Sequence, residues 1–397
     1  MHRLPLFAMS IGAFAIGTTE FIVMGVLPQI ADSEQVSLST AGLLVAAYAV
    51  GVVVGAPLLT ILTTRIPRKP LLIGLMAFFA LAHVGSALAP DFATLLGTRF
   101  LAGLPHGAYF GAAAVVGAAL VPFEKRARAI AFIMTGLTLA TVAGVPVAAL
   151  VVGHVSWRFV FVAVAAIAVV CALAVALTVP DMNGRVARTK PSDEVRALKD
   201  RRIILTLATG AIGFGAMFAC YTYLSSILED VTGLKSLGVA VTLALFGLGT
   251  TLGNILGGQL ADRMPFKGLY FAFGFTAAML VVLYTSLRHP ALAMGGTFLV
   301  ALGASMIGPP LQRLLLDGAN NAPSLASALH HSAFNLANAN GAWLGGLALS
   351  FGLGAASPLL VASGLAVAGV VLSVFLARAH RDPVGLPAQK RAALAEV

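Results

Sequence analysis

Apolar runs of about 20 residues, each closed off by charge or by Pro and Gly, follow one another along the whole of this chain. A bilayer core about 30 Å thick is crossed by roughly 20 helical residues rising about 1.5 Å each. Twelve runs meet that requirement, at 5 to 30, 39 to 62, 70 to 89, 92 to 119, 128 to 152, 155 to 180, 203 to 228, 237 to 261, 268 to 287, 291 to 316, 325 to 350 and 355 to 378. Strands of a membrane barrel are about 10 residues long and alternate in polarity. These runs are continuously apolar, which predicts helices. Composition excludes an ordinary soluble enzyme: of 397 residues 59% are hydrophobic and 10% charged, whereas soluble domains carry roughly 25% charged residues. So little polar surface cannot cover a water-soluble body of this size.

The first run continues from Arg3 past Glu20 to Ile30. A cleavable leader has an apolar stretch of only about 7 to 15 residues, so this run is read as the first span. Cys171 and Cys220 lie inside apolar runs and read as small hydrophobes rather than as a disulfide framework.

A net charge of +10 raises the question of nucleic acid. Its distribution answers it. With the N-terminus in the cytoplasm, 21 of the 25 Lys and Arg residues fall on the inside, three (Arg158, Lys235 and Arg288) fall outside, and Arg99 lies within a span. That asymmetry orients a membrane protein and places both termini in the cytoplasm. The basicity is topological, and no basic soluble domain exists to hold a nucleic acid.

The only long polar stretch between spans is 181–202. The expected organisation is therefore a six-helix bundle over 1–180, a cytoplasmic linker over 181–202, a second six-helix bundle over 203–378 and a cytoplasmic tail over 379–397. The halves repeat. An offset of 198 residues places Gly55 on Gly253, Leu62 on Leu260, Arg65 on Arg263, Pro67 on Pro265, Lys69 on Lys267 and Leu71 on Leu269. Internal repeats in a multi-span chain mark secondary transporters, in which two pseudo-symmetric bundles rock about a central site. The fold class expected is all-α integral membrane, with twelve transmembrane helices in two such bundles.

Glu20 is the only acid well inside a span, and Arg99 the only base. A charge at the bilayer centre costs at least about 2.5 to 3.5 kcal/mol, so both must face protein or a wet cavity. Glu20 lies roughly 15 Å below the outer end of span 1 and Arg99 roughly 10 Å into span 4. They are expected to meet. Two readings stay open: a proton-coupling carboxyl whose charge state is set by burial, water access and the neighbouring Arg, or a permanent salt bridge that only orders the bundle. His106, seven residues after Arg99 on the same face, is a second candidate for proton coupling, or a cavity polar group. His83 has no polar companion at helical spacing and reads as a core residue.

Span 11 carries a polar stripe of Ser327, His331, Asn335 and Asn338 on one helical face. Amides in lipid need a partner or a cavity, so this face is expected to line a translocation path or bond to a neighbouring helix. Tyr48, Tyr109, Phe110, Met217, Phe218, Tyr221 and Tyr223 supply candidate aromatic and Met walls. His330-His331 has no third ligand at a metal-binding spacing, so neither metal nor cofactor is expected. Glycines at four-residue spacing (Gly51 with Gly55, Gly103 with Gly107 and Gly111, Gly249 with Gly253 and Gly257) allow close helix approach, and Pro146 and Gly308-Pro309-Pro310 supply bends.

The sequence resembles the major facilitator superfamily and, within it, the twelve-span drug:proton antiporters of the bacterial arabinose-efflux and chloramphenicol-resistance type. The resemblance rests on Thr18-Thr19-Glu20-Phe21 with Gly25, Leu27 and Pro28, on Tyr48 to Pro57, on Arg65 to Lys69, and on Arg99 with Gly103, His106 and Gly107. Gly144-Val145-Pro146, Trp157-Arg158, Gly257 to Arg263 and Phe334 to Asn338 add to it. It implies the major facilitator fold, a proton-coupling role for Glu20, and conformational gating through Arg65, Lys69, Gly144, Pro146, Asp262 and Arg263. The chain departs from the pattern where Thr63-Thr64 precede Arg65 in place of an acid, which appears only as Asp262 in the second half, and where Val145 separates Gly144 from Pro146.

The expected protein is a monomeric, multi-pass protein of a bacterial cytoplasmic membrane, and the resemblance implies that it exports small organic molecules, such as a drug or a sugar, against protons. No Gly-x-x-x-x-Gly-Lys-Ser/Thr loop is present to support ATP drive. An energy-independent facilitator or importer of sugars or nucleosides shares the fold. An integral-membrane enzyme needs paired carboxylates, a nucleophile with its base, or metal ligands at depth, and Glu20 stands alone. Replacing Glu20 by Gln is expected to abolish proton-driven export in a transport assay while leaving folding intact; undiminished uphill transport contradicts the coupling role.

Overall fold

The computed structural model describes residues 3–63, 65–122, 125–152, 155–181, 200–318 and 323–381, and every regular element among them is helical. Most of the polar stretch 181–202 and of the tail 379–397 lies outside the described residues, as does the side chain of Ser327. Twelve helical units appear within a few residues of the expected limits, and among the described residues eleven are long and apolar enough to cross a membrane. They are α1 (Arg3–Gly25, continuing as Leu27–Ser33), α2 (Leu38–Leu62), α3 (Arg68–Ala87), α4 (Phe92–Ala119) and α5 (Arg126–Leu139, a π turn Ala140–Gly144, then Val145–Val152). After α6 (Arg158–Thr178) come α7 (Arg201–Gly213, Gly215–Thr222 and Leu224–Asp230), α8 (Ser236–Arg263), α9 (Pro265–Ser286) and α10 (Pro290–Ser305 and Gly308–Gly318). The last two are α11 (Pro323–Ser350) and α12 (Ser357–Arg381).

Local chemistry explains where these helices start and break. Asp91 caps α4, its Oδ1 accepting from the Thr94 backbone N–H at 2.8 Å, and Asp200 caps α7 in the same way through Arg202. Pro265 and Pro290 open α9 and α10, where a missing N–H costs nothing. Pro28 follows the break in α1, and the π turn of α5 absorbs the irregularity ahead of Pro146. The two breaks of α7 carry rings onto α11. Phe214 lies 3.9 Å from the Phe334 ring, and the Tyr223 hydroxyl donates to the Ala342 carbonyl at 2.7 Å.

The twofold repeat is built into helix packing. A methyl placed on Gly51 of α2 would collide with the Phe100 carbonyl of α4, and one on Gly55 with the Leu104 carbonyl. The counterparts 198 residues on, Gly249 and Gly253 of α8, meet the carbonyls of Phe298 and Leu302 in α10. Lipid gives no hydrophobic drive between helices, so such backbone-to-backbone contact supplies the packing that joins each pair. Leu81 and Leu177, 70% and 86% exposed, project outward, as side chains solvated by lipid do.

Along the seam between α1–α6 and α7–α12 the two ends of the molecule differ. At the end carrying the α1–α2 turn, the distal face, Phe21 to Ala31, Ala41 to Val45 and Trp157 to Phe161 share one apolar core with α7 to α12. Toward the opposite, terminal face, where α1 begins and α12 ends, Ala8 to Ile16, Leu71 to Ala82 and Ala108 to Val116 form a separate core confined to the first bundle. The bundles are therefore joined distally and have independent cores terminally.

Gly51→Ala and Gly249→Ala are each expected to destabilise the fold by roughly the 1–3 kcal/mol of an overpacked contact, read as a lower thermal unfolding midpoint in detergent. Gly74→Ala, with open space around it, is expected to leave the midpoint unchanged or raise it, and equal behaviour of all three contradicts the packing role.

Candidate functional site

Arg99 has no exposed surface, and its partners are supplied by three other helices, α1, α2 and α6. Nη1 donates to the Thr19 hydroxyl at 2.8 Å and Nη2 to the Thr19 carbonyl at 3.2 Å. Its guanidinium carbon lies 4.5 Å from the centre of the Tyr48 ring and 5.6 Å from that of Phe161, so two aromatic faces replace part of its lost hydration. Nε has no partner. Glu20, 8% exposed, stands beside this group on α1 and shares its electrostatic field with Arg99 and Tyr48.

The expected salt bridge is absent. Among the described residues no ion pair joins Glu20 to Arg99, and no hydrogen bond reaches the Glu20 carboxyl. Similar depth brought the two residues into one neighbourhood, but adjacent helical positions point about 100° apart, and the guanidinium docks on Thr19 rather than Glu20. His83, read from sequence as an isolated core residue, is part of the same cluster, with Nε2 2.6 Å from the Thr19 hydroxyl.

A second line of groups crosses the seam. The Tyr48 hydroxyl and His106 Nδ1 lie 3.0 Å apart. The His106 ring is 5.2 Å from Phe110 and 6.4 Å from His331 of α11, and Phe110 stacks on His331 at 5.6 Å with an interplanar angle of 2°. His331 leads along α11 to Asn335, whose Nδ2 donates to the His331 carbonyl at 3.1 Å. Among the described residues, Asn335 Oδ1 and both polar atoms of Asn338 are buried without a partner, as are the hydroxyls of Thr18 on α1 and of Thr222 and Ser225 on α7. An unsatisfied buried polar group costs about 1–3 kcal/mol, so this series is an expensive feature unless a ligand or water meets it.

The aromatic candidates divide. Phe21 of α1 meets Phe218 at 6.3 Å and Tyr221 at 5.8 Å, and Tyr221 lies on Phe246 at 4.1 Å, which closes the seam distally. Met217 is buried in the same apolar core. Tyr109, expected in the cavity wall, lies instead inside the first bundle. Its hydroxyl donates to the Met9 carbonyl at 2.8 Å and sits 3.4 Å from Cys171 Sγ, which leaves it no free group to offer a ligand.

Of the gating candidates, Lys69 lies 3.9 Å from Asp181, and Asp262 lies 3.5 Å from Arg313, which also donates to the Ala261 carbonyl at 2.7 Å. Each pair stays within one half of the chain. Arg65 and Arg263 are exposed on the terminal face. Gly144 and Pro146 flank the junction from the π turn of α5 back to α-helix. Beside it the Thr141 carbonyl abuts Gly247 of α8 across the seam. Sequence reasoning missed the distal rim. Glu34 accepts from Arg158 at 3.0 Å, and burial, with the nearby charges of Asp230 and Asp32, holds the Glu229 carboxyl above its usual range.

The Major Facilitator Superfamily model matches residues 9–339 of the chain. "Inner membrane transport protein YdhP" of Escherichia coli is 41% identical over 96% of this chain and 97% of its own. A "Chloramphenicol resistance protein" of Streptomyces lividans is 35% identical over 94% of this chain and 95% of its own. Among solved structures, the partially occluded inward-open conformation of the xylose transporter XylE from E. coli superposes with a TM-score of 0.70 at 15% identity, covering 95% of this chain and 97% of that one. Matches of this extent, on a fold of twelve paired helices, make the chain a transporter rather than an enzyme, and it belongs to the Major Facilitator Superfamily.

Proposed function

We propose that this protein is a proton-coupled exporter of small organic molecules that works by alternating access in a bacterial inner membrane, with both termini in the cytoplasm. The observation that carries the reading is a carboxyl, Glu20, held at membrane depth beside the seam without an ion pair. Such a group gains and loses a proton without first breaking a salt bridge, and its neighbour Phe21 is part of the distal closure. Proton binding and seam geometry therefore act on adjacent residues of one helix.

The positive-inside charge supports a cytoplasmic terminal face, and in this reading the separate cores there belong to an arrangement closed outward. In this reading the substrate meets His331, Asn335 and Asn338 from α11, with Tyr48, His106 and Phe110 facing them. The unpartnered amides favour a molecule with hydroxyl or amide groups of its own, and the rings favour one with an apolar face. Likeness to a chloramphenicol resistance protein supports export of a compound of that kind. Domain limits of 1–180 and 203–378 follow from the same reading.

A susceptibility panel in a pump-deficient strain, repeated after collapse of the proton gradient, tests direction and coupling together. Protection that vanishes with the gradient is expected, and protection or uptake that survives it favours a facilitator. Asn338→Leu removes an unsatisfied amide at similar volume. It is expected to stabilise the fold by roughly 1–3 kcal/mol, read as a higher unfolding midpoint, while reducing export of the protective compound about tenfold or more. Unchanged export places Asn338 outside the substrate path.

A further inference from the structure

We propose that His83 is a positioning residue: acting through Thr19, it holds Arg99 away from Glu20 and so keeps the coupling carboxyl free of an ion pair. This rests on the proton-coupling role of Glu20 given above. The chain of contacts runs from the Phe79 carbonyl to His83 Nδ1 (2.8 Å), from His83 Nε2 to the Thr19 hydroxyl (2.6 Å), and from that hydroxyl to Arg99 Nη1 (2.8 Å).

The two ends of this chain fix the direction of every hydrogen in it. A carbonyl only accepts, so His83 Nδ1 carries the ring proton and donates to Phe79. A guanidinium only donates, so the Thr19 oxygen accepts from Arg99. The single Thr19 hydrogen then goes to Nε2, which must be a bare acceptor. His83 is therefore the neutral Nδ1–H tautomer, and Thr19 converts the acceptor on α3 into an acceptor for α4. A protonated His83 would strand the hydroxyl hydrogen and set a second cation beside the guanidinium.

Packing holds the ring in place. His83 has no exposed surface and lies 4.2 Å from the Phe79 ring and 6.1 Å from Phe161, the residue that also faces Arg99. The titratable and charged groups around Glu20 and His83 come from several elements: Arg99 from α4, Tyr48 from α2, and Tyr221 of α7 beyond Phe21. α6 contributes the apolar face of Phe161. The arrangement is not a relic of the repeat. Arg99 and His83 correspond at the 198-residue offset to Thr297 and Val281, which carry no charge. With His83 removed, Thr19 loses the partner that orients its hydroxyl, and Arg99 is released toward the carboxylate next to it.

The test needs no substrate. In lipid nanodiscs, infrared pH titration follows the protonated-carboxyl stretch, assigned to Glu20 by its loss in Glu20→Gln. In His83→Phe the midpoint of that band is expected to move to more acidic pH by about one unit or more, roughly a tenfold change in proton affinity, because a released Arg99 favours the ionised carboxylate. Thr19→Val is expected to do the same, and serves if the Phe variant does not fold. His83→Gln, whose Oε1 can accept at the position of Nε2, is expected to keep the parental midpoint. A band lost in Glu20→Gln but unmoved in both His83→Phe and Thr19→Val overturns the positioning role alone. A band that survives Glu20→Gln overturns the coupling reading, and this inference with it.

Discussion

An arginine buried without its counter-ion is the constraint to which the first bundle answers. Arg99 cannot shed its charge, and burying it unpaired in an apolar bundle carries a desolvation cost of several kcal/mol. The protein meets that cost with a hydroxyl and a carbonyl of one residue, Thr19, and with the faces of Tyr48 and Phe161. α1, α2, α4 and α6 are thereby tied to one guanidinium, and α3 is tied to it through His83 and Thr19. The acid beside it is left out of the arrangement. Had Glu20 taken the guanidinium, the bundle would have been as well ordered, but releasing or accepting a proton would have required breaking an ion pair in low dielectric. The observed geometry separates the groups that solvate Arg99 from Glu20, the carboxyl to which proton coupling is assigned in the proposed function.

The two halves share a scaffold and divide the chemistry. Glycines of α2 and α8 let the carbonyls of α4 and α10 approach at equivalent positions, so the architecture is duplicated where only shape matters. The charged cluster occurs in the first half only; at the fixed offset the second half has Thr297 for Arg99 and Phe218 for Glu20. Phe218 stacks on Phe21, next to the residue it would replace. The second half contributes instead the amide-bearing face of α11 and the aromatic closure from α7. In the proposed function, a proton site in one half and a hydrogen-bonding face in the other meet at the seam, where relative motion of the bundles would couple the two.

Much of this was legible in the sequence, and the rest follows a pattern. Span number, the repeat, and the exceptional status of Glu20 and Arg99 came from hydropathy and charge, because lipid penalises a misplaced charge heavily. Helical period sees only neighbours on one helix, however. It found His331, Asn335 and Asn338, yet it passed over His83, whose partner Thr19 lies 64 positions earlier, and it could not show that Arg99 chooses Thr19, 80 positions away, over Glu20. Tyr109 failed for a related reason: it and Phe110 are adjacent and equally aromatic, but one faces α1 and α6 while the other faces His331. The usable signal was that a histidine in an apolar span needs a partner, and that the hydroxyl residues Thr18 and Thr19 directly precede Glu20.

The claim on which this account turns is that Arg99 stays on Thr19 even when Glu20 is ionised. A rotational-echo NMR measurement in lipid, between the side-chain carboxyl carbon of Glu20 and the guanidinium nitrogens of Arg99 at alkaline pH, addresses it directly. The account predicts a separation beyond the about 4 Å of an ion pair, with the Thr19 contact retained. A separation at ion-pair distance would contradict it.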